Sequence, residues 1–286
     1  MITVFLHALA RSRGAILGWG ISLALLGMYL MTFYDTLAEQ QETIMQLISN
    51  YPPELMAFFG DMSALTMFTP EGYLGFEFFS YMPLVLGVFA VLAGSSLLVA
   101  DEENGILDLV LAYPISRTAL FMGRLLGLVA AITAILALTW SGLMIGRNWS
   151  SIELSGAELA RPFLSLAAAL LFFGALALLL SMVFPSRNLA AMTAGLSLVA
   201  SYFVTSLSRI DDGLEAIAQF SPLNYYQGGN AVVDLNSNWL LGLLAVAALL
   251  ALLAWWRFQR RDIRVAGEGS WRLPLLWRKP AARPVR

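Results

Sequence analysis

Six long apolar stretches dominate the pattern of hydrophobic and polar positions along the chain. They cover about residues 14–34, 78–100, 118–146, 162–184, 189–208 and 239–256. About 20 mainly apolar residues form a helix long enough to cross the roughly 30 Å hydrocarbon core of a bilayer. The stretches are continuously apolar rather than alternating, which favours helices over the strands of a membrane barrel. We therefore predict an all-α integral membrane protein with six transmembrane helices.

The composition fits a protein whose surface faces lipid more than water. Hydrophobic residues make up 59% of the 286 residues and charged residues only 13%, against about 25% in a typical soluble chain. The chain has no cysteine and a single histidine, His7. This excludes a disulfide framework, a cysteine-ligated metal and any site that needs two imidazoles. We expect no metal and no cofactor to be bound by this chain.

Basic residues are distributed unevenly between the two sides of the predicted bundle. If the N terminus is inside, 14 of the 17 basic residues fall in inner segments, which is a strong positive-inside bias. We therefore predict a multi-pass protein of the plasma (inner) membrane with both termini in the cytoplasm. Nine of the basic residues lie in residues 257–286. This segment is a predicted basic cytoplasmic tail behind a membrane domain of residues 1–256.

The segments outside the spans also carry structural signals. Ile2, Phe5, Leu6 and Leu9 lie at helical spacing, which predicts a short amphipathic helix on the inner leaflet, a longer first span being the alternative. In the first outer loop, Thr69 and Pro70 resemble a helix start, while Pro52-Pro53 predicts the end of an earlier helix. The last outer loop, residues 209–238, is rich in aromatic residues and predicts short helices at the outer interface.

Three consecutive acids, Asp101, Glu102 and Glu103, open the inner loop between the second and third spans. Acids are unfavourable at the C-terminal end of a helix and favourable at the start of one. We therefore predict a break near Asp101 and a new short helix over residues 102–113, ended by Pro114. One face of this helix is apolar (Ile106, Leu107, Val110 and Leu111). Such a face needs lipid or a protein groove, and the adjacent acids favour the groove because an anionic leaflet repels them.

The same loop resembles a motif of ABC-2 type transporter permease subunits. It reads Glu102-x-x-Gly105-Ile106-Leu107-Asp108-x-x-Leu111-x-x-Pro114-Ile115-Ser116-Arg117, followed by Gly123-Arg124. The family pattern commonly reads E-x-x-G-T-L-E, then leucine, then P-x-S-R, then G-K, so Ile106, Asp108 and Arg124 are departures from it. The resemblance implies a coupling helix that docks on an ATPase subunit. The implied docking residues are Glu102, Glu103, Gly105, Ile106, Leu107, Val110, Leu111, Pro114 and Arg117.

The resemblance also implies a function. The chain would be the permease subunit of an exporter, forming the translocation pathway with a second permease copy or a homologous permease. Two ATPase chains would bind ATP and Mg, since this chain has no G-x-x-x-x-G-K-[ST] segment and only one lysine, Lys279. We therefore expect a non-enzymatic chain with membrane lipids, but no nucleic acid, among its partners. Two alternatives stay open: a non-transport regulator or scaffold that docks an ATPase, and a small intramembrane enzyme.

Two further patterns concern how the predicted spans pack. Thr193, Ser197, Ser201 and Thr205 recur every four residues in the fifth span and form one slowly winding hydroxyl stripe. The stripe could line a pathway at a dimer face, because the resemblance places the second and fifth spans at the symmetry axis, or it could form a hydrogen-bonded seam between helices. In the third span, the pairs Gly123/Gly127 and Gly142/Gly146 permit close approach of another helix.

Overall fold

The computed structural model describes residues 1–48, 68–107, 110, 112, 113 and 115–261, and these residues form helices and turns without a strand. The helices are α1 (Ile2–Glu39), α2 (Gln41–Ile48), α3 (Pro70–Leu74), α4 (Met82–Ser96), α5 (Val99–Glu103), α6 (Arg117–Gly146), α7 (Gly156–Val183), α8 (Arg187–Leu207), α9 (Glu215–Ala218), α10 (Asn230–Val233) and α11 (Ser237–Arg260). Gly75–Phe79 forms a π-helical turn after α3, and Arg147–Trp149, Asp212–Leu214 and Pro222–Tyr225 form 3₁₀ turns.

Five helices, α1, α6, α7, α8 and α11, are long and apolar enough to cross a membrane. The second predicted span is different, because α4 has only 15 residues and is about 22 Å long at 1.5 Å per residue. Pro70–Phe79 precedes it at an angle of 41°, and the bent pair makes a sixth span if it is counted as one. The prediction of an all-α, multi-pass membrane protein is thus confirmed, with five helices that can span a membrane, or six if the bent pair is one span.

The predicted amphipathic helix at the N terminus is not a separate helix. Its residues continue without a break into the first span, so α1 runs from Ile2 to Glu39. The physical reason is a helix–helix contact: Val4 and Ala8 of α1 lie against Gly123 and Gly127 of α6. Through this contact, α6 covers one face of the first turns of α1. The alternative, a longer first span, is the arrangement observed.

Glycines set the close packing of α1 on α6, as the sequence predicts. A Cβ placed on Gly142 would lie only 2.2 Å from the carbonyl oxygen of Ala24, and one on Gly146 would lie 2.8 Å from the Cα of Met28. Both predicted glycine pairs of the third span therefore face α1. Small residues of this kind let helix backbones approach within van der Waals contact in a membrane.

α7 lies at the centre of the bundle, where it packs against α4, α6, α8 and α11. Its N terminus is held by a capping box, in which Ser155 accepts from the backbone N–H of Glu158 and Glu158 accepts from that of Ser155. α6 and α8 begin, and α7 and α11 end, at the same end of the bundle. We call this the arginine-rich end, because Arg117, Arg187, Arg257, Arg260 and Arg261 all lie there.

The opposite end is built from the short helices that the sequence predicts. Thr69 caps α3 by accepting from the N–H of Gly72 at 3.2 Å, which confirms the predicted helix start. The Tyr226 hydroxyl donates to the carbonyl of Phe79 at 2.8 Å and joins the last loop to the bent second span. Pro52-Pro53 and residues 262–286 lie outside the described residues. The division between a membrane domain and a basic tail at residue 256 stays a prediction.

Candidate functional site at the arginine-rich end

The acidic segment folds differently from the prediction. Asp101, Glu102 and Glu103 belong to α5, the short helix before the turn, and do not start the helix after it. The chain turns at Asn104-Gly105 in a Schellman motif: Gly105 N–H donates to the carbonyl of Glu102 at 3.1 Å, and Ile106 N–H to that of Asp101 at 2.8 Å. Gly105 has φ +68°, a conformation that residues with a Cβ rarely adopt.

Helix resumes after the turn, where Leu107 and Val110 are helical and the N–H of Val110 donates to the carbonyl of Ile106 at 3.1 Å. The predicted break lies a few residues earlier than expected, at Leu97-Leu98, and Asp101 and Glu102 fall in the first turn of the new short helix α5. This placement agrees with the helix-dipole argument. The predicted continuous helix over residues 102–113 is wrong, because the turn at Asn104-Gly105 interrupts it.

Asp101 is the most enclosed acid of the segment and pairs with two arginines. It is 4% exposed; Arg11 Nη1 of α1 lies 2.8 Å from one carboxylate oxygen, and Arg124 Nη2 of α6 contacts the other. Arg124 also donates to the carbonyl of Leu97 at 2.8 Å. Burial raises the pKa of Asp101, but hydrogen bonds and charge from Arg11 and Arg124 outweigh it and hold the pKa below its usual value of 3.8.

The other two acids extend the ion pairs to two more helices. Glu102 lies 3.1 Å from Arg261, the residue after α11, and both side chains are largely buried. Arg261 in turn approaches the last carbonyls of α7, at Ser181 and Met182. Glu103 accepts from the backbone N–H of Arg187 at 2.8 Å, so it supports the first turn of α8. The three consecutive acids therefore connect one segment to α1, α6, α8 and the end of α11.

Arg117 and Leu107, both predicted as docking residues, have structural roles inside this chain. The Arg117 guanidinium donates to the carbonyls of Phe258, Gln259 and Arg261 at 3.4, 3.3 and 2.8 Å, which caps the end of α11. Leu107 is 1% exposed and belongs to a buried cluster with Phe121 and Phe258 among others. Leu107 is thus buried within this chain, whereas Arg117 is partly covered.

The exposed part of the segment is smaller than the predicted docking set. Ile106 is 45% exposed and Tyr113 is 70% exposed, whereas Val110 is partly covered. Glu103 is exposed but paired, and Glu102 is buried. Leu111 and Pro114, also predicted as docking residues, lie outside the described residues. The structure thus separates residues that hold the segment in place from residues that face outward.

The hydroxyl stripe of α8 divides into two halves. Ser201 and Thr205 are buried, and their hydroxyls lie 2.6 and 2.7 Å from the hydroxyl of Ser221 in the last loop. This half is the hydrogen-bonded seam that the sequence left open as an alternative. Thr193 and Ser197 are only partly covered, and the Thr193 hydroxyl donates to the carbonyl of Leu189 in its own helix. The alternative role of the stripe, at a pathway or dimer face, stays a prediction.

Sequence reasoning missed the arginines that complete the site, namely Arg11, Arg124, Arg187 and Arg261, together with Asp101. The available signal was charge balance. Three consecutive acids fall where nearly all other charges are arginines, and buried carboxylates are usually paired. Which arginine pairs with which acid depends on the tertiary arrangement of four separate helices.

The fold and this site define a class: a helical multi-pass membrane protein with a buried ion-pair network at one end. The family model for the ABC-2 family transporter protein matches residues 2–263. The chain therefore belongs to the ABC-2 family of transporter proteins and is a permease of the ABC transporter type. The comparison with curated proteins gave no match.

Proposed function

We propose that the chain is the permease subunit of an ATP-driven exporter, in which two permease copies work with two ATPase chains. ATP and Mg bind to the ATPase chains, and this chain is not itself an enzyme. The arginine-rich end faces the cytosol, so both termini lie on the cytoplasmic side of the plasma membrane. The excess of basic residues at this end supports that orientation.

The ion pairs of the acidic segment are the observation that carries the proposal. Asp101, Glu102 and Glu103 join one short segment to arginines of three long helices and to Arg261 at the end of a fourth. A displacement of the segment is therefore transmitted to α1, α6, α8 and α11 through charged contacts, two of them largely buried. A bundle that takes mechanical work from a separate motor needs such a connection.

The proposed ATPase contact consists of the outward-facing residues Ile106 and Tyr113. Both are large, apolar in most of their surface and exposed, and Ile106 lines the same crevice as Arg11 and Asp101. Leu107 and Arg117 support this surface from behind by holding the segment against α6 and α11. An interface centred on one or two large anchors is typical of protein–protein contacts.

The second permease copy is proposed to pack on the exposed side of α8. Met192 is 71% exposed and Leu196 is 70% exposed, and no described residue covers them. In a bilayer these side chains contact either lipid or another protein. The fifth span is the one that the family resemblance places at the symmetry axis.

Co-purification with the ATPase chain tests the docking step. Ile106→Asp combined with Tyr113→Asp should reduce the retained ATPase by about tenfold or more, because losing an interface anchor costs about 1–2 kcal/mol or more. Trp149→Asp is a matched control, since Trp149 is 62% exposed and follows the far end of α6. Equal retention by the two variants would contradict the docking proposal.

A second measurement separates a transporter from a regulator or scaffold. ATP hydrolysis by the complex in vesicles should increase when cargo is present if the chain forms a transport pathway. A regulator or scaffold that only docks an ATPase should show no such increase. ATP-independent chemistry by the purified chain alone would instead support an intramembrane enzyme.

A further inference from the structure

The packing of α1 on α6 determines how deep each residue of α1 lies in the bundle. Both helices run in the same direction, and four contacts define their register: Gly123 with Val4, Gly127 with Ala8, Gly142 with Ala24, and Gly146 with Met28. By the same register, Arg11 and Arg13 of α1 lie level with about residues 130 and 132 of α6. These are positions near the middle of α6.

The start of α6 coincides with the membrane boundary of α11. The hydroxyl of Thr118 accepts from Gln259 at 2.9 Å, and α11 changes there from apolar residues to Trp255, Trp256 and Arg257, the order typical of a membrane interface. The backbone of Arg11 and Arg13 lies about 12 and 14 residues further along, or roughly 18 and 21 Å at 1.5 Å per residue. This places their backbone inside a hydrocarbon core of about 30 Å. Their long side chains can reach back toward the arginine-rich end, where Arg11 meets Asp101.

Both arginines line a crevice of about 940 Å³ between α1, α4, α6 and the segment after α5, whose Ile106 and Val110 also line it. α1 packs mainly on α6 while α4 packs mainly on α7 and α8, and the crevice lies between α1 and α4 on the side of Ala93 and Arg11. The crevice walls include Phe89 and Ala93 of α4 and Leu128 of α6. Among the described residues, the charged ones that line it are Arg11, Arg13, Arg124 and Asp101, so the formal net charge of these four is positive.

An arginine at membrane depth needs a counter-charge or water. Placing one at the centre of a bilayer costs about 2.5 kcal/mol or more, and such residues usually face a cavity and mark a functional site. Arg11 and Arg124 are already paired with Asp101. Arg13 is exposed and forms no ion pair with any residue that the structure describes. The crevice therefore combines an apolar wall with one cationic group that has no ion-pair partner among the described residues.

We propose that this crevice binds an anionic amphiphile, with its phosphate or carboxylate on Arg13 and its tail along Phe89, Ala93 and Leu128. A phospholipid of the adjacent leaflet has both the charged group and the apolar tail. A free organic phosphate has only the charged group. The binding site belongs to this chain alone and does not require ATP. The further step of taking this bound amphiphile as the transported cargo rests on the proposed function.

The natural absence of cysteine makes single-cysteine labelling the direct test of a hydrated, cationic crevice. Ser12→Cys is a nearly isosteric reporter beside Arg11 and Arg13 in the crevice. Thr133→Cys is the matched control, because Thr133 lies at almost the same depth but lines a separate apolar groove beside Met1, Ile2 and Phe5. Both variants are reconstituted in phosphatidylcholine nanodiscs and treated with anionic and cationic water-soluble thiosulfonates.

Ser12→Cys should react about tenfold faster with the anionic reagent than with the cationic one, after normalising to free cysteine, because a cationic cleft concentrates anions. Adding Arg13→Gln should remove most of this preference, and Arg13→Lys should retain it. Thr133→Cys should react slowly with both reagents. If Ser12→Cys is as unreactive as Thr133→Cys, or if Arg13→Gln leaves the preference unchanged, the cationic crevice is refuted.

Protection from labelling identifies the ligand. Nanodiscs that contain phosphatidylglycerol should slow labelling of Ser12→Cys severalfold relative to pure phosphatidylcholine, and Arg13→Gln should abolish that protection. Equal protection by soluble glycerol phosphate would overturn the assignment to an amphiphile, and protection by neither probe would overturn the site. Since neither ATPase nor nucleotide is present, loss of ATP coupling in other assays leaves this result unaffected.

Discussion

Replacing Asp101 by Asn should destabilise the protein far more than replacing its neighbour Glu103 by Gln. The side chains of Asp101 and Arg124 are only 6% and 12% exposed, so Asp101→Asn leaves the buried Arg124 guanidinium without a counter-charge from residue 101, with only neutral acceptors such as the new amide oxygen and the Leu97 carbonyl. Removing one partner of a buried ion pair costs about 3–5 kcal/mol. Glu103 and Arg187 are both 40% exposed and 3.8 Å apart, and such surface pairs contribute about 0–1 kcal/mol.

A double-mutant cycle distinguishes the pair from a general loss of packing. The free energy of unfolding would be measured by tryptophan fluorescence during titration of mixed micelles with a denaturing detergent. Arg124→Gln should cost about as much as Asp101→Asn, and the double variant should cost little more than either single variant, because the interaction is lost only once. The half-exposed Arg11, with 59% of its side chain accessible, should contribute about 1 kcal/mol or less when replaced by Gln. If Asp101→Asn costs no more than Glu103→Gln, Asp101 is not the buried centre of the site.

Two other outcomes can be measured with the same assay. The stabilisation from Asp101 should be present at neutral pH and be lost as the pH falls below about 4, because the pKa of Asp101 in the folded protein is lowered from 3.8. If the difference in unfolding free energy between wild type and Asp101→Asn stays constant down to about pH 3, this expectation is refuted. Gly142→Ala should cost about 1–3 kcal/mol of unfolding free energy, because the added Cβ meets the Ala24 backbone. Gly195 has open space around it, so Gly195→Ala should be tolerated. Equal effects of the two substitutions would contradict close packing of α1 on α6.

The site shows where reasoning from local sequence succeeds and where it stops. The approximate positions of the spans, the helix start at Thr69 and the close approach at Gly142 could be predicted because each depends on run length, capping chemistry or residue size. Leu107 and Ile106 are adjacent and equally apolar, yet one is buried against Phe258 and the other faces outward. No local property distinguishes them, because the difference comes from a helix about 150 positions away.

The sequence by itself determined that this chain is helical, embedded in a membrane and a member of its family, since these properties follow from apolar runs of sufficient length and from a short loop motif. Only the tertiary structure decided that α1 continues to Ile2, which arginine neutralises which acid, and that Arg13 lines a crevice beside apolar walls. The physical reason is the distance along the chain between the residues that interact. Helix formation and membrane insertion depend on residues close together in the chain, whereas ion pairing and burial depend on contacts between distant segments.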